Sequence, residues 1–248
     1  MPELPEVEFT RRLLQRRVAG RRILRARCVD PRLLRGGTAD LAGRRVGRFD
    51  RVGKFIFGRV DDGRVWVIHL GMTGHVCYRE PPDHAHARVD YEGGTFWFRD
   101  PRRFGRFQVL EGEPDLGLGP DALAATAGDL RFESRQAIKV ALLDQSRIAG
   151  VGNIQAAEAL FAARIDPRRR AGSLTPAERR RLLGAIQRSM RRTLGMIRTE
   201  ELIYVSEGGA NPFLVYDRAG EPCARCATPL RRLVQARRST VFCPACQR

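Results

Sequence analysis

The 248-residue sequence predicts an α+β protein: a helix and a β-sandwich first, then a helical region, then a metal-stapled hairpin at the C-terminal end. Three observations predict it. Between Arg22 and Leu110 the apolar residues come in short β-branched and aromatic runs (RILRARCV, KFIFGRV, RVWVIHL, TFWFRD, GRFQVL), divided by turn signals such as Asp62-Gly63 and Gly93-Gly94. Beyond the Pro/Gly-rich stretch EGEPDLGLGP, residues 111–120, the apolar period becomes helical. Finally, Cys223-x-x-Cys226 and Cys243-x-x-Cys246, with sixteen residues between the pairs, have the spacing of a four-cysteine zinc site.

The elements follow in chain order. Val7, Phe9, Leu13, Leu14 and Val18 fall at helical spacing, with Pro5 suited to the first turn and Gly20 to the end. The β runs come next, and the 111–120 stretch reads as an interdomain hinge. A clear later helix starts at Thr175, where Pro176 and Glu178 complete a capping box, and Leu182, Leu183, Ile186, Met190 and Leu194 form its apolar stripe. The segment from Glu221 onward is too short and polar to own a core, so it needs a staple. The expected domains are therefore 1–111, 112–220 and 221–248.

A net charge of +17 and a pI near 11.1 point to a partner with dense negative charge, nucleic acid before anionic membrane. No run of apolar residues has the length of a membrane span, no basic amphipathic helix with exposed aromatics stands out, and the first residues are no signal peptide. A soluble cytosolic protein is expected. Every Lys/Arg position is Arg except Lys54 and Lys139, which are either places where a compact ammonium is wanted in place of a planar guanidinium or two chance survivors.

Two further motifs carry chemistry. In IAGVGNIQAAEALF, Gly150 and Gly152 form a tight turn with Asn153 as N-cap of a helix, which is either a phosphate site or an ordinary capped turn. In MPELPEVE, removal of Met1 leaves Pro2 with a free secondary amine that is partly unprotonated near neutrality and therefore nucleophilic, with Glu3 and Glu6 alongside as carboxylates for acid/base work. A helix start decorated with Pro and Glu is the plain alternative. Disulfides are the alternative for the cysteines, but nothing indicates secretion. Cys28 and Cys77 suit half-buried core positions.

MPELPE, Lys54 in RVGKF, HLGMTG, DPRRFG, GVGNI and the four-cysteine finger occur together and in this order along essentially the whole chain. In this the sequence resembles the formamidopyrimidine-DNA glycosylase/endonuclease VIII family, on its formamidopyrimidine side. The resemblance implies a β-sandwich, a helix–two-turn–helix domain and a zinc finger holding one structural Zn2+, acting on double-stranded DNA that contains a damaged base. It implies a monomeric base-excision glycosylase and lyase for oxidised purines, nicking DNA by β,δ-elimination. Pro2 then matches the Schiff-base nucleophile, Glu3 the acid/base residue, Glu6 a supporting carboxylate and Lys54 the catalytic-site lysine. Asn153 and Arg238 match phosphate clamps, Arg238 also being linked to the later elimination. Met72, Arg102 and Phe104 match the residues that fill the gap left by an extruded base; Arg103 and His86 match phosphate contacts, and Lys139 a lysine of the DNA-binding region. One departure touches substrate choice. TEELIYVSEGGANPFLVY, from Thr199 to Tyr216, is shorter than the family's lesion-capping loop and lacks its Thr-Thr pair. An oxidised-pyrimidine glycosylase of the same fold, and a catalytically silent DNA-binding paralogue, are the alternatives.

Overall fold

The computed structural model describes residues 2–79, 81–197 and 211–248. They divide into two compact units, one of residues 1–116 and 194–209, the other of 117–193 and 210–248.

The first unit opens with helix α1 (Leu4–Arg17), where Pro5 occupies the first turn and Gly20, at φ +77°, turns the chain away beyond its end. Two four-stranded antiparallel sheets follow. One has the order β1 (Ile23–Cys28), β6 (Ala85–Tyr91), β7 (Gly94–Arg99), β5 (His75–Cys77); the other runs β2 (Val46–Val52), β3 (Phe55–Val60), β4 (Val65–His69), β8 (Arg106–Leu110). A short helix, α2 (Pro31–Leu34), is capped by Asp30, whose carboxylate accepts from the Arg32 amide at 3.1 Å. The inward side chains of both sheets form one core with Val7 and Leu14 of α1 and with its C-cap, Val18. Trp66 lies at its centre, with Phe49, Phe96 and Phe107 rings at 5.0–6.0 Å. This is the β-sandwich the alternating runs implied.

The second unit contains α3 (Ile138–Leu143), α4 (Asn153–Ala162), a 3-10 turn at Ala171–Ser173 and all but the last three residues of α5 (Pro176–Met196). The Thr175–Glu178 capping box forms, with bonds of 2.8 and 3.2 Å. The apolar stripe of α5 differs at one position: Leu194 is only half-buried, and Thr193 is the buried residue, its hydroxyl accepting from Gln155 at 2.9 Å. Helix α4 is buried from Asn153 through Phe161. One neighbour is the C-terminal hairpin, β9 (Arg231–Gln235) and β10 (Arg238–Phe242); Val241 of β10 and Leu230, just before β9, share a core with Ala157 and Phe161. The finger therefore relies on a borrowed core as well as a staple. Among the described residues no helix is long and apolar enough to cross a membrane.

Candidate active site and nucleic-acid interface

At the start of α1, Pro2 and Glu3 are buried, and Glu3 is the N-cap. The Glu3 amide donates to Glu6 Oε2 at 2.8 Å, and the Glu3 carboxylate receives the Glu6 amide, so the two acidic residues form a capping box. Burial raises the Glu6 carboxyl from its ordinary value near 4.5 to about 7, with the neighbouring Glu3 charge adding to the rise. A carboxyl balanced near neutrality can hold or release a proton at working pH.

Lys54 stands in the two-residue loop between β2 and β3, where Val52 pairs with Phe55. The loop needs Gly53, whose φ of +56° few other residues adopt cheaply. His69, at the end of β4, is a site residue the motifs left unassigned. Its Nδ1 accepts from the Gly71 amide at 3.1 Å, and its ring lies 4.5 Å from that of Phe55. Burial, with Lys54 and Arg106 nearby, lowers its pKa to about 4, so the ring is neutral and Nε2 carries the proton. Only the HLGMTG string hinted at it.

Met72, Arg102 and Phe104 come from two turns, residues 71–74 and 101–105, locked together by Asp100. This fully buried carboxylate accepts from Thr73 Oγ1 at 2.7 Å and from the Gly105 amide at 2.8 Å, while the Arg102 amide donates to the Thr73 hydroxyl at 3.3 Å. The backbones touch: a Cβ on Gly71 would meet Gly105 N at 2.6 Å, and one on Gly105 would meet His69 O at 2.8 Å. Phe104 is 50% exposed, with the Arg102 guanidinium 5.2 Å from its ring centroid. An exposed Phe on a braced turn is no core residue. Arg103, at φ +57°, reaches back to Asp30 at 3.3 Å. His86 departs from expectation. It is buried on β6, its Nε2 is sealed and without a hydrogen-bond partner, and burial plus the Arg103 charge lowers its pKa.

In the second unit, Gly150 takes φ +102°, and Gly152, not Asn153, is the N-cap of α4. Asn153 is displaced from the capping role because its side chain is engaged by Lys139. That lysine is fully buried, and its ammonium donates to Asn153 Oδ1 (2.6 Å), Thr240 Oγ1 (2.7 Å) and Ser239 O (2.9 Å). In this structure the enclosed ammonium ties the glycine turn to the finger. With Oδ1 occupied, the NH2 of the Asn153 amide is the group left to donate. Arg238 is exposed at the start of β10, directly after a two-residue turn in which Ala236 and Arg237 both have positive φ (45° and 60°).

The four cysteine sulfurs lie within 4.8 Å of one another. Three of the separations, 3.4, 3.5 and 4.0 Å, bracket the roughly 3.8 Å between sulfurs of a tetrahedral Zn–S4 centre. The Arg225 and Cys246 amides donate to the Cys223 and Cys243 sulfurs at 3.4 Å, as zinc knuckles do. The donor set fits a metal ion.

Residues 1–107 match the formamidopyrimidine-DNA glycosylase N-terminal domain, residues 118–201 the H2TH domain of the same glycosylase, and residues 220–248 the zinc finger found in FPG and IleRS. The chain belongs to the formamidopyrimidine-DNA glycosylase family. It is accordingly an enzyme, a bifunctional DNA glycosylase and lyase acting on oxidised purines. The formamidopyrimidine-DNA glycosylase of Symbiobacterium thermophilum is 43% identical over all of this chain and 89% of its own length. The MutM (Fpg) protein of Thermus thermophilus superposes with a TM-score of 0.88 at 39% identity, over 99% of this chain and 98% of that one. Lactococcus lactis Fpg, solved with abasic-site DNA and with DNA containing an oxidised pyrimidine, superposes at 0.85 and 28% identity over the full length of both chains.

Proposed function

We propose that, once Met1 is removed, the Pro2 amine attacks C1′ of the damaged nucleotide as the bond to the base breaks; the amine then loses its proton, the C1′–O4′ bond opens with O4′ protonated by Glu3, and the iminium so formed drives β- and then δ-elimination. The observation that carries this reading is the start of α1. A proline nitrogen stands beside a Glu3–Glu6 pair, one member of which has a pKa of about 7. Glu3 serves as the acid/base group for base loss, and Glu6 supports it by holding the Glu3 backbone. Lys54 and the neutral His69 offer donors to a phosphate beside the lesion.

Met72, Arg102 and Phe104 fill the gap left by the extruded base, with Arg102 facing the orphaned partner. Asn153 and Arg238 clamp flanking phosphates, Arg103 contacts a further one, and Lys139 and His86 act from within the protein. The four cysteines hold one structural Zn2+, which supplies folding energy to the finger and takes no part in the reaction. The protein works as a cytoplasmic monomer on double-stranded DNA. Oxidised pyrimidines are a second substrate class, favoured by the lesion in the L. lactis complex; the capping-loop departure noted at 199–216 lies mostly outside the described residues. Borohydride should trap a covalent adduct on DNA carrying 8-oxoguanine, and the adduct should disappear when the N-terminus is blocked. Normal trapping by a Met1-retaining protein would remove Pro2 from the mechanism.

A further inference from the structure

A hairpin tip is a loose place to hold a charge that must meet a reacting centre, and Lys54 is at such a tip. Strand β2 is also the edge of its sheet, and α1 closes that edge with side chains. Gln15 Oε1 accepts from the Phe49 amide at 2.8 Å, and Arg11 Nη1 donates to the Phe49 carbonyl at 3.2 Å. The helix thereby takes the place of a missing strand.

Two residues nearer the tip, the contact changes character. Arg51 Nε donates to Glu8 Oε2 at 3.1 Å, and Nη1 of the same guanidinium donates to the Gly53 carbonyl at 3.0 Å. Glu8 belongs to α1, and Gly53 precedes Lys54. One planar group therefore grips the nucleophile's helix with one edge and the Lys54 turn with the other. Side-chain exposure is 9% for Arg51 and 11% for Glu8, so solvent screens the pair little. Arg11 and Arg12 also donate to Glu8, at 2.8–3.0 Å, and the three guanidinium groups hold its carboxyl near 2 despite burial. Its charge is constant at every pH where the enzyme works. A structural pair would need only the Arg51–Glu8 contact; the second arm, to a carbonyl in the loop itself, is what fixes the turn.

We propose that Glu8 and Arg51 are positioning residues for catalysis, holding the Gly53–Lys54 turn in register with the N-terminus of α1. The inference rests on the assignment of Pro2 and Lys54 above. Arg51→Met should slow borohydride trapping on abasic-site DNA, at saturating enzyme, by roughly ten- to a hundredfold, the scale of a misplacement of about 1 Å. Affinity for a duplex carrying the uncleavable tetrahydrofuran analogue should change by less than about threefold, because most phosphate contacts remain. Arg51→Lys keeps a cation beside Glu8 but cannot reach both acceptors, so it should melt like the parent and still lose most of the rate. In a Lys54→Met background either Arg51 substitution should cost less than about twofold, because the group it places is gone. An equal cost in both backgrounds would overturn the brace and leave Pro2 and Lys54 in their roles. Parent-like trapping by Lys54→Met alone would overturn the assignment of Lys54, and the brace with it. Should Arg51→Met fail to fold, the same comparison made with Arg51→Lys decides.

Discussion

Lys54 and Lys139, one in each compact unit, are the chain's two lysines, and their surroundings have little in common. Lys54 is half-buried in a hairpin loop, beside a neutral histidine and a strand edge closed by helix side chains. Lys139 is sealed, its three N–H bonds spent on an amide oxygen, a hydroxyl and a strand carbonyl. A tetrahedral ammonium suits that second site because its donors diverge, whereas a guanidinium would need its acceptors in one plane and more room. A lysine can thus persist in an Arg-rich chain for the space it occupies as readily as for the chemistry it performs.

The contrast breaks most visibly at the metal. Ser239 and Thr240, which hold Lys139, belong to the finger hairpin, and structural zinc is worth roughly 10 kcal/mol or more of folding energy in small domains. Chelation should therefore disturb the finger and the α4 core together. Both tryptophans, Trp66 and Trp97, lie in the first unit, so their fluorescence should stay native while the helical circular dichroism falls. Parallel loss of both signals would show that the two lysine sites do not fold independently.

Substitution of the lysines separates stability from rate. Lys139→Met leaves three acceptors without their donor and should cost about 2–4 kcal/mol, read by denaturant unfolding, with no recovery in Lys139→Arg. Lys54→Met should cost under about 0.5 kcal/mol yet slow adduct trapping by about tenfold or more, roughly the scale set by one lost transition-state contact. Similar stability losses for both would erase the distinction.

A pH-dependent effect concerns Glu6. Its folded pKa of about 7 lies above the unfolded value near 4.5, so the native state holds this proton more tightly. Stability from this group is full below about pH 4.5, declines as pH rises towards 7, and is lost above that, by on the order of 1–3 kcal/mol. Glu6→Gln should remove that decline, so that the variant gains on the parent as pH rises from about 4 to about 8. An unchanged slope would place the carboxyl in a wetter environment than its burial indicates.

The sandwich, the capping box of α5 and the cysteine cluster were legible because each depends on local pattern: alternation, a Thr-x-x-Glu step, paired Cys-x-x-Cys. What escaped depends on who the neighbours are. Lys139 is held by Thr240, far away in sequence, and no spacing rule links the two. Asn153 satisfied the composition of a cap, but a buried cation competed for its oxygen, and Gly152 took the position. His86 lies on a strand where alternation predicts facing but not sealing, and the sealing comes from its neighbours in the fold. His69 went unassigned because a lone histidine in an apolar run carries no signal until Lys54 and Arg106 surround it.

The two turns that carry Met72, Arg102 and Phe104 touch backbone to backbone at Gly71 and Gly105, with Asp100 bolted across them, so neither turn can flex without the other. A probe built this stiffly absorbs no strain of its own. If, as proposed, these side chains press against a base step, the yielding would fall to the DNA, and a weakly stacked or mispaired step would give way at lower load than an intact one. On that proposal, searching for damage would begin as a test of mechanical compliance, made before any base is read by its chemistry.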